Sequence, residues 1–352
     1  LKERQEYDFA APDLGTLVHA VLRCIGERLL EEGRPWRELK DDEILSLCTV
    51  ETERAAAEAA NNILMSDAYF RQIKNRVVAT LVRTVRQLRD FSEGSEFSVR
   101  ALEQPFGTKG AWKGLSFNLP DGVKVELVGQ IDRVDTLELD GRTFILIVDY
   151  KSGKKSITLP EVYSGLELQL FLYMAVARRN LGSKAVPAGA VYCRVRNDVQ
   201  RCSAEPTAAE KERAYIKAGQ LSGFYLNDSD VVRALDDCTM EGRAASPYSG
   251  LKINNDGTLK KAANVSDEAE WYRLLRLVEA AACRSASELT SGCIDIYPAR
   301  WGSSNEHKAC DYCPYAALCR FDVTAEDGNS WNYLGNLSID DLLDRKSTRL
   351  NS

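Results

Sequence analysis

Two aspartates and a lysine carry the first chemical signal. Asp140-Gly141 favours a two-residue hairpin turn, and antiparallel pairing about that turn sets Asp132 opposite Asp149. Facing residues hold their Cβ atoms about 4.5–5.5 Å apart, so two carboxylates there repel unless one is protonated or a cation lies between them. Asp149 also ends Phe144-Ile145-Leu146-Ile147-Val148, an apolar run of the kind covered on both faces, where an isolated carboxylate is costly to desolvate. Lys151 shares the strand face of Asp149, within reach of a phosphate or a metal-bound water. Hard oxygen ligands of this kind select Mg2+ or Mn2+. A carboxylate-x-Lys tripeptide is common by chance, and the plain structural alternative pairs Asp132 with Arg133 or another surface cation and Asp149 with Lys151 as a structural ion pair.

The second signal is Cys310-x2-Cys313-x5-Cys319, three thiols spaced for metal or cluster ligation rather than packing. A fourth ligand is needed. His307 is the local candidate, and it would complete a Cys3His zinc site. Cys24, Cys48, Cys193, Cys202, Cys238, Cys283 and Cys293 read as small buried hydrophobes or inert thiols.

The elements that must position these groups follow from periodicity. Leu14, Leu17, Val18, Val21, Leu22 and Ile25 have helical spacing after Asp13, with His19 at the edge of the apolar stripe. Residues 41–65 and 67–90 read as two further helices. The second carries Arg71, Lys74, Arg76, Arg83, Arg86 and Arg89 with no acid until Asp90, which predicts a positive exposed side. From Glu96 the period becomes two, and the segments 96–107, 112–120, 123–139 and 142–153 read as four strands in one meander. A helix over 166–181 ended by Gly182, then a strand over 188–196, complete an α/β core. Residues 200–300 read as a mostly helical insertion with a hairpin or loop at 249–258, and a last helix over 268–291 leads to the cysteines. The expected division is a helical part over 1–95, a core over 96–199, the insertion over 200–300 and a cysteine segment over 301–343.

Composition bounds the rest. The chain has 352 residues, 44% hydrophobic and 28% charged, which suits about two globular domains. Its 46 Lys and Arg against 52 Asp and Glu give −6, excluding a uniformly basic nucleic-acid coat but leaving room for a local basic channel. No apolar run approaches the ~18 residues of a membrane span, and ten cysteines without a signal peptide predict reduced thiols in a cytoplasmic protein. The natural start is expected upstream of Leu1, and residues 344–352 are read as a non-native tail. There is no G-x-x-x-x-G-K-[ST] loop for ATP and no G-x-S-x-G elbow, and only His19 and His307 are available for a histidine-based triad.

Gly129-Gln130-Ile131-Asp132-Arg133-Val134-Asp135, then Asp149-Tyr150-Lys151, then Gln169-Leu170-Phe171-Leu172-Tyr173 resemble in order and spacing the RecB-like nucleases of the PD-(D/E)xK superfamily. Leu14-Gly15-Thr16-Leu17-Val18-His19 matches that family's histidine helix. The resemblance implies a restriction-endonuclease-like core, a central mixed sheet flanked by helices. It implies Asp132, Asp149, the Tyr150 carbonyl and His19 at a Mg2+ (or Mn2+) site, and Lys151 positioning or activating water. Gln169 and Tyr173 would line the DNA side of the site. Activity would be exonucleolytic phosphodiester hydrolysis leaving 5′-phosphates and 3′-hydroxyls, with the Arg-rich helix, Lys154 and Lys155 supplying DNA backbone contacts.

The cysteine spacing resembles the iron-sulfur staple of AddB-type subunits of bacterial AddAB helicase-nucleases. That implies a 4Fe-4S cluster on Cys310, Cys313 and Cys319, whose first cysteine would fall before Leu1. It also implies an AddA-type helicase-nuclease partner, linear DNA ends as substrate, cutting of the 5′-terminated strand and a place in recombinational repair. The competing expectation is a non-catalytic DNA- or partner-binding module with the Cys3His zinc site.

Overall fold

Gly33, at φ +65°, closes the first helix with the paired bonds Gly33 N–H to Leu30 O (3.1 Å) and Arg34 N–H to Leu29 O (2.9 Å), a left-handed cap that only glycine enters freely. That helix, α1 (Ala11–Glu31), is followed by α2 (Asp41–Ala59) and α3 (Ala68–Glu93). Asp41, Asp42 and Glu43 open α2 where the helix dipole favours negative charge. Leu17, Val21, Leu22 and Ile25 of α1 are buried at helical spacing, as are Leu81, Val85 and Leu88 of α3. The computed structural model describes residues 11–59, 68–108, 110–153, 155–163, 165–195, 206–239, 244–259, 264–301, 307–324 and 330–334. The expected tail at 344–352, Cys202, Lys154 and the end of the helix expected over 41–65 lie outside them.

The chain divides into two compact units, the first of residues 1–115, 127–156 and 173–271, the second of 116–126, 157–172 and 272–352. After α3 come β1 (Ser98–Phe106), β2 (Ser116–Asn118), β3 (Lys124–Glu126), β4 (Gly129–Leu139) and β5 (Arg142–Lys151). Then follow α4 (Leu159–Tyr163), α5 (Gln169–Leu181), β6 (Ala185–Arg194), α6 (Ala208–Ala218), β7 (Ser222–Leu226), α7 (Ser229–Leu235) and β8 (Val265–Ser266). In the first unit, β1-β4-β5-β6-β7-β8 form one mixed sheet in which β5 and β6 run parallel.

The β4–β5 hairpin has the register expected from its turn, with Leu139 opposite Arg142 and Arg133 opposite Val148. Asp140 and Gly141 have φ of +51° and +70°, the two left-handed residues of a type I′ turn. Residues 144–148 are all buried, as a strand covered on both faces requires.

Three expectations need correction. The four-strand meander is interrupted, because β2 and β3 pair only with each other, as a ribbon of the second unit. The break falls at Leu127 and Val128, where Leu127 N–H bonds Leu115 O and Val128 is exposed. Residues 200–300 are not only helical, since β7 and β8 extend the central sheet beyond β6. Finally, α5 begins at Gln169 rather than 166: Gly165 has φ +80°, and Leu166 and Glu167 both bond Glu161 O as the exit of α4.

The second unit carries most of α8 (Glu268–Thr290), then a small sheet of β9 (Ala299–Trp301), β10 (His307–Lys308) and β11 (Asn332–Leu334), and the single turn α9 (Ala316–Cys319). The expected hairpin near 249–258 is present as the bridge Ile253–Leu259, closed by Asn254 N–H to Thr258 O.

Candidate active site

The hairpin brings its two aspartates to one place. Arg133–Val148 is the last ladder pair, and Asp132 and Asp149 lie one step beyond it. Asp132 bridges the strands with its side chain, Oδ2 accepting from Tyr150 N–H at 2.8 Å. Asp149 is 1% exposed. Lys151 Nζ contacts its Oδ2 at 2.7 Å, while Oδ1 is buried with no hydrogen-bond partner among the described residues. Burial, and next the charge of Asp132, push the Asp149 carboxyl up to about 6, against the pull of Lys151 and His19. The site therefore carries more negative charge than its own residues neutralise.

His19 on α1 completes the cluster. Its Nε2 lies 3.1 Å from the Tyr150 carbonyl oxygen, and its Nδ1 lies 3.4 Å from Glu103 Oε1 and 3.5 Å from Asp132 Oδ2. Burial opposes charge on this ring, but hydrogen bonds and charge from Asp132 and Glu103 outweigh it and raise its pKa to about 10. The imidazolium thus lies between the Tyr150 carbonyl on one ring nitrogen and the Glu103 and Asp132 carboxylates on the other. A cleft of about 460 Å3 leads to it, lined by Leu14, Val18, Ile73, Arg76, Thr80 and Tyr150 among others.

Glu103 escaped the sequence reading. Its neighbours pair as Leu102–Arg133 and Gln104–Ile131, which sets it opposite Asp132. Its φ of +43° is rare for a residue with a side chain, and such strain concentrates at functional sites. Gln130 Nε2 donates to its Oε2 at 2.5 Å. Ligand atoms of His19, Glu103 and Asp132 all lie within 4.8 Å of one another. Behind the site, Arg133 and Asp135 form a buried bidentate pair (Nε to Oδ1 and Nη2 to Oδ2, both 2.8 Å), with the guanidinium 5.1 Å from the Trp36 ring centre. Asp132 therefore does not pair with Arg133.

Gln169 and Tyr173 share one face of α5, and Tyr173 packs edge-on against Phe106 at 5.9 Å. That ring explains Gly129, because a Cβ there would meet Phe106 Cζ at 2.7 Å. The arginine helix is less free than expected. Lys74 pairs with Glu53 (2.8 Å), Arg86 and Arg89 with Asp41 (3.2 and 2.7 Å), and Arg83 stacks 4.2 Å over Tyr215. Arg71 and Arg76 remain exposed.

In the second unit, Cys310 lies in a 3-10 turn, Cys313 N–H bonds Cys310 O at 3.2 Å, and Cys319 ends α9. Burial, then the neighbouring Cys313 and Cys319, raise the Cys310 thiol. No three ligand atoms at this turn lie within 4.8 Å of one another among the described residues, and His307 lays its ring 5.7 Å from that of Trp301. This is wider than the roughly 3.8 Å between sulfurs that 2.3 Å tetrahedral zinc bonds impose. The Cys3His arrangement is not assembled here. Cys48 and Cys193 are buried, with thiols pushed up to about 12, as inert thiols should be.

A hairpin presenting two carboxylates and a lysine on the end of a mixed sheet, with a histidine helix against it, defines a nuclease fold class. The PD-(D/E)XK nuclease superfamily model matches residues 1–320, and the chain belongs to that family. It is 36% identical over 335 residues to the B component of the ATP-dependent helicase/deoxyribonuclease of Bacillus thuringiensis (strain Al Hakam), and equally to that of a Bacillus cereus strain. The Bacillus anthracis protein of that name is 35% identical. Each match covers 93% of this chain but 28% of the relative, so the chain spans under a third of those proteins.

Proposed function

We propose that the chain is the deoxyribonuclease domain of a helicase-nuclease subunit and hydrolyses phosphodiester bonds with a divalent cation. Asp132, Asp149, the Tyr150 carbonyl and His19 would hold Mg2+ or Mn2+, with Glu103 as an additional carboxylate. One observation carries this reading: Asp149, buried at the end of an apolar strand, keeps Oδ1 without a hydrogen-bond partner among the described residues while Lys151 contacts Oδ2. An orphaned carboxylate oxygen beside further oxygen donors fits a hard cation. Such a cation supplies a water of lowered pKa and neutralises charge on the phosphate.

The chain's own residues do the rest. Asp149 fixes the Lys151 ammonium beside the reacting phosphate, where its charge orients the attacking water. Asp132 holds the Tyr150 backbone, and with it the carbonyl, in place. His19 links Asp132, Glu103 and Tyr150 across three elements. Gln169 and Tyr173 on α5 contact the strand being cut.

The relatives' name, an ATP-dependent helicase/deoxyribonuclease subunit, supports a deoxyribonuclease that works beside a helicase. The sequence resemblance extends the proposal to exonucleolytic cutting of the 5′-terminated strand at linear ends, a helicase-nuclease partner of AddA type, a cytoplasmic setting and recombinational repair. Cys310, Cys313 and Cys319 would take an iron-sulfur cluster with a fourth ligand from elsewhere, as the cysteine spacing implies. Broad visible absorption after anaerobic purification is the expected sign, and a colourless zinc protein would contradict it.

The test is cleavage of a labelled single-stranded oligonucleotide with and without MgCl2, run beside Asp149→Ala and Lys151→Ala. Metal-dependent cleavage lost in both variants is expected. Equal activity in all three proteins would remove the assignment.

A further inference from the structure

Beside Lys151, the first unit holds a second cavity of about 520 Å3 that the metal site does not use. Its floor is the end of the parallel pair β5 and β6, where open α/β sheets receive ligands. Its walls are the end of α6 and the segment 249–251, which Leu221 N–H to Tyr248 O (2.8 Å) and Gln220 Nε2 to Ser246 O (3.0 Å) fasten to the start of β7. Lys151, Lys155, Arg194 and Lys217 line it, and no carboxylate does among the described residues. In a chain of net charge −6, a cavity whose described lining holds four cations, one of them already paired with Asp149, and no carboxylate is a local reversal.

The cations are also crowded. Lys151 and Lys155 stand 5.7 and 5.5 Å from the centre of the same Tyr192 ring, and Arg194 pairs with Lys151 across the sheet. Like charges held this close favour an anion between them. Lys151 borders both places, touching Asp149 on one side and the cavity on the other. Successive phosphates of a strand recur at each nucleotide, so a strand engaged at Lys151 has another phosphate within one nucleotide of a side chain that also borders this cavity.

We propose that the cavity is a phosphate subsite: Lys155, Arg194 and Lys217 bind the strand phosphate adjacent to the one being cut. This rests on the nuclease reading for its role, but its binding chemistry can be measured without cleavage.

The experiment is fluorescence anisotropy of a labelled oligothymidylate with the full chain in EDTA, across a salt series, using wild type, the double variant Lys155→Gln/Lys217→Gln and the matched control Lys211→Gln on the exposed side of α6. Single-strand binding contributes about 0.7 to the log–log salt slope per phosphate neutralised, so the double variant, which strips one phosphate of two of its three cations, should flatten it by up to about 0.7 and the control should not. Thymidine 5′-monophosphate should compete against wild type and fail against the double variant. In MgCl2, KM should rise at least about fivefold with kcat kept. An unchanged slope in the double variant, or an equal fall in Lys211→Gln, would overturn the subsite. A wild-type chain that shows the slope difference yet cuts nothing would instead overturn the nuclease reading and leave the subsite standing.

Discussion

Asp132 accepts the Tyr150 backbone N–H through Oδ2 at 2.8 Å, so one arm of the hairpin grips the other at the residue whose carbonyl faces His19. The same side chain is thus a strand clasp and a proposed metal ligand. The two roles separate on substitution. Asp132→Asn keeps an oxygen that can accept from Tyr150 but loses the charge. It should fold with near wild-type thermal stability and lose at least about 100-fold in cleavage, the scale on which weakened metal sites fail. Asp132→Ala should lose both. Differential scanning calorimetry beside a cleavage assay checks this, and an Asn variant as active as wild type would contradict the ligand role.

Asp149 makes a prediction about stability. Its carboxyl is raised to about 6 from an ordinary 3.8, chiefly by burial. A group raised in the folded state contributes stability below its unfolded pKa and loses it as pH rises through the folded one. Metal-free wild type should therefore weaken between pH about 4 and 6 relative to Asp149→Asn. By pH 8 the variant should be the more stable by on the order of 1–3 kcal/mol. Urea denaturation in EDTA at pH 4 and pH 8 reads the difference, and a variant less stable than wild type at pH 8 would contradict it.

His19 links metal uptake to protons. Raised to about 10, it is protonated at neutral pH in the metal-free protein, and its share of stability, full below about 6.5, is lost as pH rises through 10. A divalent cation competes for the same oxygens and for the ring itself, so binding should expel a proton. Calorimetric titration with Mn2+ at pH 7.5 in buffers of different ionisation enthalpy should show close to one proton released. His19→Ala should abolish that release. Buffer-independent heats in wild type would rule out this linkage.

The buried pair behind the site predicts a non-additive effect. Arg133 and Asp135 are 3% and 1% exposed, so removing one partner strands a charge. Arg133→Met should cost about 3–5 kcal/mol, whereas Arg133→Met/Asp135→Leu should recover most of it. Thermal or urea melts of both decide it, and equal losses would show that the pair's charges are not what matters.

How much of this was legible depended on the distance the chain travels between partners. Asp132 faces Asp149 through a two-residue turn, so counting back from Asp140-Gly141 sufficed. Glu103 lies opposite Asp132 as well, but β1 and β4 are joined by more than twenty residues, with an extra ribbon between them, and no turn sets their register. The same limit hid the partners of the arginine helix, since Asp41 and Glu53 lie on α2. His19 was found through its motif company and not its helical position, which any structural histidine would share. Strand β7 is only five residues long, too short for periodicity to separate from the helices around it.

Cleavage, on this reading, requires a divalent cation held jointly by Asp132 and Asp149 beside Lys151. Anomalous scattering from crystals of the chain soaked in MnCl2 measures this most directly. A peak is expected at about 2.0–2.2 Å from both carboxylates and the Tyr150 carbonyl, with His19 displaced or ligating. A fully soaked crystal whose only manganese lies away from both aspartates would contradict it.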